Sequence, residues 1–360
     1  MWPWYQEACA LALEAHGCEV ERFGWFHDFR YWKAGSSEPV YHSMYYRLQY
    51  RLNLGPTVSK VQRLLLEKAE VSRPEIIWFY NVQLISPRTV RKLRKMLPES
   101  TFIQYANDNP FSANKKLCIW GNYLKSIPLF DVHFSYRKSN IDDYIRFGSK
   151  SVHLLRSYFI PNVDFPVDRE NIPECFRCDV VFAGHYEDDG RVELLEAIID
   201  AGHKLNLYGG GWAAAIPKLA PSSPLRSKYP ISPATEENYR YAICGAKVAL
   251  CFLSSLNRDS YTRRNFQVPA MKVAMLSQYS DDLASLFEPD KEIAMFRNKT
   301  ELLMKLSELI KNDDWRNSIA ESSYSKVYAS GHDVFSRMKC WLKIVSSKID
   351  GISSKKYESL

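Results

Sequence analysis

The chain has no run of eighteen or more apolar residues, so no membrane-spanning helix is expected. Its first stretch, MWPWYQEACALALEAHG, lacks a basic leader and carries Glu7 and Glu14 through its apolar part, which argues against a secretory signal. Cysteine is scattered: of eight, only Cys175 and Cys178 lie close together, and a lone CxxC is half of a zinc site at best. Ordinary reduced thiols in a cytoplasmic protein fit this usage. No repeat or low-complexity tract is present, no GK[ST] follows a glycine-rich turn, and no basic stretch is interleaved with aromatics, so neither a P-loop nor a nucleic-acid partner is indicated. The net charge of +7 is compatible with anionic small ligands, an anionic membrane surface or nucleic acid and by itself selects none of them.

What is present describes a globular α/β protein. A chain of 360 residues exceeds the size at which one core usually keeps growing, so two domains are expected. Trp4 to His16 has the spacing of an amphipathic helix ended by Gly17, and Cys18 to Phe23 is predicted as a short strand. No strand precedes that helix, so either a first strand is missing or the first sheet is built differently. Tyr41 to Ala69 is predicted helical, broken at Gly55-Pro56. A βαβ pattern follows: strand Glu75 to Tyr80, a helix from Ser86 to Met96 with Ser86-Pro87 as cap and first residue, and strand Thr101 to Ala106. That helix carries five basic residues and no acid, which gives a solvated basic face or a surface for an anionic membrane or acceptor. At the carboxyl end of the second strand, Asp108 and Asn109 are either site residues or an Asx-type turn before Pro110. Strands at Asp131 to Tyr136 and Val152 to Leu155 flank a helix at Ile141 to Phe147 with Gly148 as its C-cap.

Ile160 to Pro173, rich in proline and charge, is the best linker, and a second α/β pattern starts beyond it. Strand Cys178 to Gly184 runs into helix Arg191 to Ala201. Strand His203 to Trp212 opens into a loop where Gly209 and Gly210 either let backbone approach a ligand beside Tyr208 or Trp212, or form a plain turn. The densest polar stretch is Asn257 to Met275, between the apolar runs Lys247 to Leu253 and Val273 to Leu276, both strand-like. It holds Asp259 and, after seven intervening residues, Gln267, just ahead of Pro269, which is expected in the first turn of a helix. A loop leading into a helix N-terminus suits a polar or anionic ligand. A short helix at Asp281 to Phe287, a strand at Glu292 to Phe296, a helix from Thr300 to Lys311 capped by Thr300, and helices at Asp313 to Ala329 and Asp333 to Val345 complete the pattern, with a polar tail expected to fray.

The order and spacing of VVFAGHYEDDGRVELLEAIIDAG, LYGGGW and NRDSYTRRNFQVPAMKVAMLSQYSDDLASLFEPDKEIAMF resemble the CgeB-like (spore-maturation type) glycosyltransferase family, within the group 1 glycosyltransferases. SPRTVRKLRK and NDNPF extend the resemblance over nearly the whole chain. It implies a GT-B fold: two Rossmann-like doubly wound α/β domains facing a cleft and closing about the linker. The implied boundaries are 1–162 for the acceptor side, 163–332 for the nucleotide-sugar side, 333–350 for a helix returning to the first domain (His332 opening that segment), and 351–360 for the tail.

The implied activity is hexosyltransferase-like. A sugar passes from a UDP- or GDP-linked donor to a glycan, lipid-linked or protein acceptor in polysaccharide biosynthesis, with retention and without a metal or other cofactor. A noncatalytic nucleotide-sugar-binding protein is the rival. In the family a Glu-x7-Glu pair meets the donor sugar and the ribose; here the matching positions are Asp259 and Gln267, both departures. A neutral amide makes a weaker bond to a hydroxyl than a carboxylate, by order of 1 kcal/mol, and on that basis Gln267→Glu is expected to keep or improve donor affinity. Arg264 and Arg191 match the arginines that neutralise the diphosphate, with Arg258, Arg263 and Lys272 in support. Gly184, Tyr208, Gly209, Gly210, Tyr261, Thr262, Asn265 and Phe266 complete the implied donor site, and Asp108 is the implied acceptor contact.

Overall fold

The computed structural model describes residues 3–31, 39–112 and 117–357. Contacts divide the chain into two units: the chain up to Arg156 together with everything from Phe335 onward, and Ser157–Val334 between them.

In the first unit β1 (Arg30–Tyr31) and β2 (Val40–Tyr41) form a small antiparallel pair. The main sheet is parallel: β3 (Ile76–Tyr80), β4 (Thr101–Ala106), β5 (Val132–Ser135) and β6 (Val152–Leu154), lying side by side in chain order. Strands that always step the same way, joined by right-handed crossovers, put their connecting helices on one face. Phe79 and Phe102 point to that face and pack with Phe130, Val58, Val61, Val90 and Leu93. The alternate residues Trp78 and Phe134 point the other way and meet Trp341, at ring distances of 4.9 and 6.0 Å. The first helix, Pro3–Ala15, is held there too: Gln6 Nε2 donates to the Tyr80 carbonyl and His16 Nε2 bonds the Phe335 carbonyl. The N-terminal helix and the helix Val334–Tyr357 cover the face that a second set of crossovers would occupy.

Cys18 to Phe23 is not a strand. Arg22 binds both Glu7 and Glu14 of the first helix, and these ion pairs fold the segment back along that helix. The tail is helical through Tyr357, and the rest of the 351–360 segment lies outside the described residues.

In the second unit five parallel strands, β7 (Cys178–Ala183), β8 (Leu205–Tyr208), β9 (Ala246–Cys251), β10 (Ala274–Gln278) and β11 (Ala294–Phe296), lie in the order β11-β10-β9-β7-β8. The order reverses between β7 and β9, so the crossovers leave on opposite faces. Val180, Phe182, Val248, Leu250 and Leu276 join Leu195, Ile198 and Leu306 in one core. Two local details depart from the sequence reading. The helix Lys299–Lys311 is capped by Asn298 and not by Thr300, the Asn298 side chain accepting from Glu301 N. Pro269 stands in the last turn of the helix Arg264–Ala270, not its first; so close to the helix end, its missing amide costs one hydrogen bond at most.

Candidate functional site

In an open parallel sheet, the loops leaving the carboxyl ends of the two strands at the reversal part to opposite faces and open a crevice where ligands bind. Here those are the loops after β7 and β9. They are tied across the reversal. Ser254 Oγ donates to the Glu187 carboxylate at 2.9 Å, and Arg264 Nη1 donates to the Ala183 carbonyl at 3.1 Å. Ser254 also organises its own loop, accepting from Asn257 N on its hydroxyl (3.1 Å) and from Asp259 N on its carbonyl (2.9 Å). Arg258 is exposed with φ 53°, a left-handed conformation uncommon outside glycine. The far end of the loop is fixed by Ser260 Oγ to Asp282 at 2.8 Å. Asp259, Arg258 and Arg264 are thus brought to the reversal with Glu187.

Beyond Asp259 the stretch turns inward. Tyr261 is fully buried and its hydroxyl accepts from Ser157 N. Thr262 N donates to Asn265 Oδ1 at 2.7 Å, and the Asn265 amide donates to Ser277 Oγ at 3.2 Å. Phe266 packs on Tyr261, Phe287 and His332. The amides of Asn265, Phe266 and Gln267 bond the Thr262 and Arg263 carbonyls, which closes the first turn of the helix. Arg263 donates to Ser157 Oγ and lies over the Tyr158 ring at 4.4 Å; Lys272 is paired with Glu321.

Gln267 has a partner that sequence reasoning missed. Its Nε2 donates to Asp164 Oδ1 at 2.9 Å, across 103 residues of chain. Asp164 is 1% exposed, its second oxygen accepts from Ile160 N (2.8 Å), and burial raises its pKa to about 6. The stretch read as a linker therefore opens with a tight turn at Ile160–Asp164, whose two ends are buried while Asn162 and Val163 are exposed.

The glycine loop has steric reasons. Gly184 N donates to Tyr208 O and Tyr186 N to Gly210 O, so pairing continues past the ends of β7 and β8. A Cβ on Gly209 (φ 150°) would lie 1.9 Å from the Gly184 carbonyl, which already accepts from Trp212 Nε1 at 3.0 Å. Tyr208 turns toward Phe176 and a recess with Lys228 and Asn238 on the outer edge, away from the reversal. Arg191 is 4% exposed and grips Asp189 through two hydrogen bonds of 2.6 and 2.7 Å, with Glu187 at 3.6 Å and the His185 carbonyl also on its guanidinium. It staples the loop on which Glu187 sits. Glu187 carried a signal in EDDGR that helix-start acids obscured.

In the first unit Asp108 follows β4, and Asn81, after β3, donates to it at 3.4 Å. Asn109 is fully buried and makes the Asx turn, its Oδ1 accepting from Phe111 N and from Asn140. Asn109 builds the turn, and Asp108 stands at the sheet's carboxyl edge.

Residues 191–343 match a family model described as glycosyl transferase-like. No curated protein sequence matches the chain. Among solved structures it is similar to sucrose-phosphate synthase from Thermosynechococcus elongatus (TM-score 0.68, 12% identity, 96% of this chain and 93% of that one). It is also similar to α,α-trehalose 6-phosphate synthase from Burkholderia multivorans (0.60, 10%, 87% and 78%) and to HepE from Anabaena in complex with UDP and glucose (0.59, 11%, 81% and 82%). The fold is that of GT-B glycosyltransferases, with parallel sheets in both units.

Proposed function

We propose that the chain is a group 1 glycosyltransferase of the CgeB-like kind, which transfers a sugar from a nucleoside-diphosphate donor to a glycan, lipid-linked or protein acceptor in the cytoplasm, with retention. The observation that carries this is the strand reversal between β7 and β9, bridged by Ser254–Glu187 and Arg264–Ala183, which gathers carboxylates and a guanidinium at a crevice-forming edge. Asp259 and Glu187 are the acceptors for sugar hydroxyls. Arg264 and Arg258 meet the diphosphate, whose negative charge grows as it leaves, and no metal is needed in this scheme. Arg191 and Arg263 drop out of the phosphate set because their guanidinium groups hold the fold. UDP-containing structures of HepE support the choice of donor class. Asp108 is the acceptor-side candidate.

Thermal unfolding with UDP, GDP and their sugars tests the donor site: a bound ligand at 100 times its Kd adds about 2.7 kcal/mol. No stabilisation by any of them refutes the donor site. A second reading, noncatalytic binding, is favoured by one feature: Gln267 is engaged by Asp164 and is not a carboxylate. Stabilisation by nucleotide-sugars with neither donor hydrolysis nor transfer would decide for it.

A further inference from the structure

The helix Met44–Leu52 of the first unit is amphipathic in an unusual sense, because its outward side is apolar. Met44, Tyr45, Leu48 and Leu52 fall within an arc of roughly 100° at 3.6 residues per turn. They are exposed by 71, 55, 55 and 47%, and Leu54 just beyond by 69%. The opposite side is satisfied by packing: Gln49 is buried, Tyr46 and Tyr50 pack on the core, and Asn53 donates to the Ile119 carbonyl. Arg47 and Arg51 flank the apolar arc on one side.

This helix packs on the helices Pro56–Ser72 and Leu117–Ser126, and both of those pack on Pro87–Met96. The last presents Arg88, Arg91, Lys92 and Lys95 to solvent, and none of the four makes an ion pair among the described residues. Three acids of this unit have other partners: Asp28 pairs with Lys60, Glu67 with Arg63 and Glu21 with Lys68. The helix layer thus carries both an exposed apolar arc and a basic face that makes no ion pair among the described residues.

We propose that this face docks on the surface of an anionic lipid bilayer, with Met44, Leu48 and Leu52 entering the acyl boundary and the basic helix facing the headgroups. A helix of this kind lies in the interface plane, and an apolar insertion plus a polybasic patch supplies the two signals that stable anchoring needs. A second copy of the chain fits less well, because an isologous contact would bring the same arginines and lysines against each other. The inference is independent of the reaction proposed above.

The test is co-sedimentation of the full chain with vesicles of phosphatidylcholine alone or with roughly 30 mol% phosphatidylglycerol. At least about tenfold stronger partitioning onto the anionic vesicles is expected, weakened by salt. Met44→Ser/Leu48→Ser and, separately, Arg88→Gln/Lys92→Gln should each lower it about tenfold at unchanged unfolding temperature. Equal partitioning on both vesicle types overturns the proposal, as does insensitivity to Met44→Ser/Leu48→Ser. So does concentration-dependent dimerisation that the same pair of substitutions abolishes in a protein that ignores vesicles.

Discussion

The two parallel sheets differ in one topological respect. In the first unit the strands advance without reversal, and the loops at their carboxyl ends are drawn into local structure: Asn109 serves a turn, and Arg137 donates to the Asn107 carbonyl. In the second the order reverses between β7 and β9, and two loops from different crossovers are laced together there. Similar polar residues occur at both edges. Topology decides which edge becomes a binding crevice, and composition decides what it binds.

The same arginine–aspartate fork appears in both units at different depths, which makes the largest predicted contrast. Arg191–Asp189 is nearly sealed, with side chains 4 and 11% exposed, whereas Arg94–Asp131 stands at 31 and 22%. Removing one partner of a buried pair costs about 3–5 kcal/mol, so Arg191→Ala should strongly lower the urea midpoint of the second unit. Arg94→Ala should cost about 1 kcal/mol or less, because its fork is part-solvated and Asp131 keeps the Phe102 amide. Equal losses would break the contrast. Gly209→Ala sharpens it: with the Gly184 carbonyl 1.9 Å from the new Cβ, the loop must move, at a cost above about 3 kcal/mol.

Next in size is the effect on chemistry. Asp259→Ala and Arg264→Ala should each lower donor turnover by about 100-fold or more, with a stability loss of about 1 kcal/mol for Arg264→Ala through its bond to the Ala183 carbonyl and less for part-exposed Asp259. Turnover within a factor of two of wild type, about 0.4 kcal/mol, would remove them from the site.

The pair behind the reversal gives a smaller and more diagnostic effect. Gln267→Glu sets a second carboxylate against buried Asp164, so it should destabilise by about 1–3 kcal/mol at neutral pH and weaken donor binding, reversing the expectation drawn from sequence. Asp164→Asn/Gln267→Glu restores one carboxylate and one amide and should recover most of the loss; additive losses would deny the coupling. The pH sign follows from the raised carboxyl. The native state holds a proton up to about pH 6 that the unfolded chain releases near its ordinary 3.8, so this contribution is fully present below about 3.8 and fades as pH rises through 6. Asp164→Asn should flatten that decline between pH 4 and 7.

Strand positions were legible because buried parallel strands are continuous apolar runs, as in Cys178–Ala183 and Ala246–Cys251, and helix starts because Ser86 caps by a local bond to Thr89 N. That Asp259 and Arg264 lie close together was legible because one short stretch of chain carries both. Asp164 was not, since its partner is 103 residues away and its surroundings have a linker's composition. Arg191 was legible as important and not as buried: a guanidinium that grips phosphate and one that grips Asp189 look alike in sequence. The strand assigned to Cys18–Phe23 failed for a similar reason, because Arg22's carboxylate partners lie on a neighbouring helix.

The smallest effect tests the first unit's edge. Asp108 is part-exposed and accepts from Asn81 at 3.4 Å, and Asp108→Asn keeps the side chain's shape while removing its charge, with an expected effect on folding of about 0.5 kcal/mol or less. Nucleotide stabilisation should be unchanged, because the reversal in the second unit is untouched. Donor hydrolysis by water should be unchanged too. Only transfer to an acceptor hydroxyl should fall, by about threefold to tenfold, the worth of one charge-assisted hydrogen bond partly replaced by an amide. A parallel fall in hydrolysis and in transfer would place Asp108 with the donor, and the division of work between the two sheets would have to be redrawn.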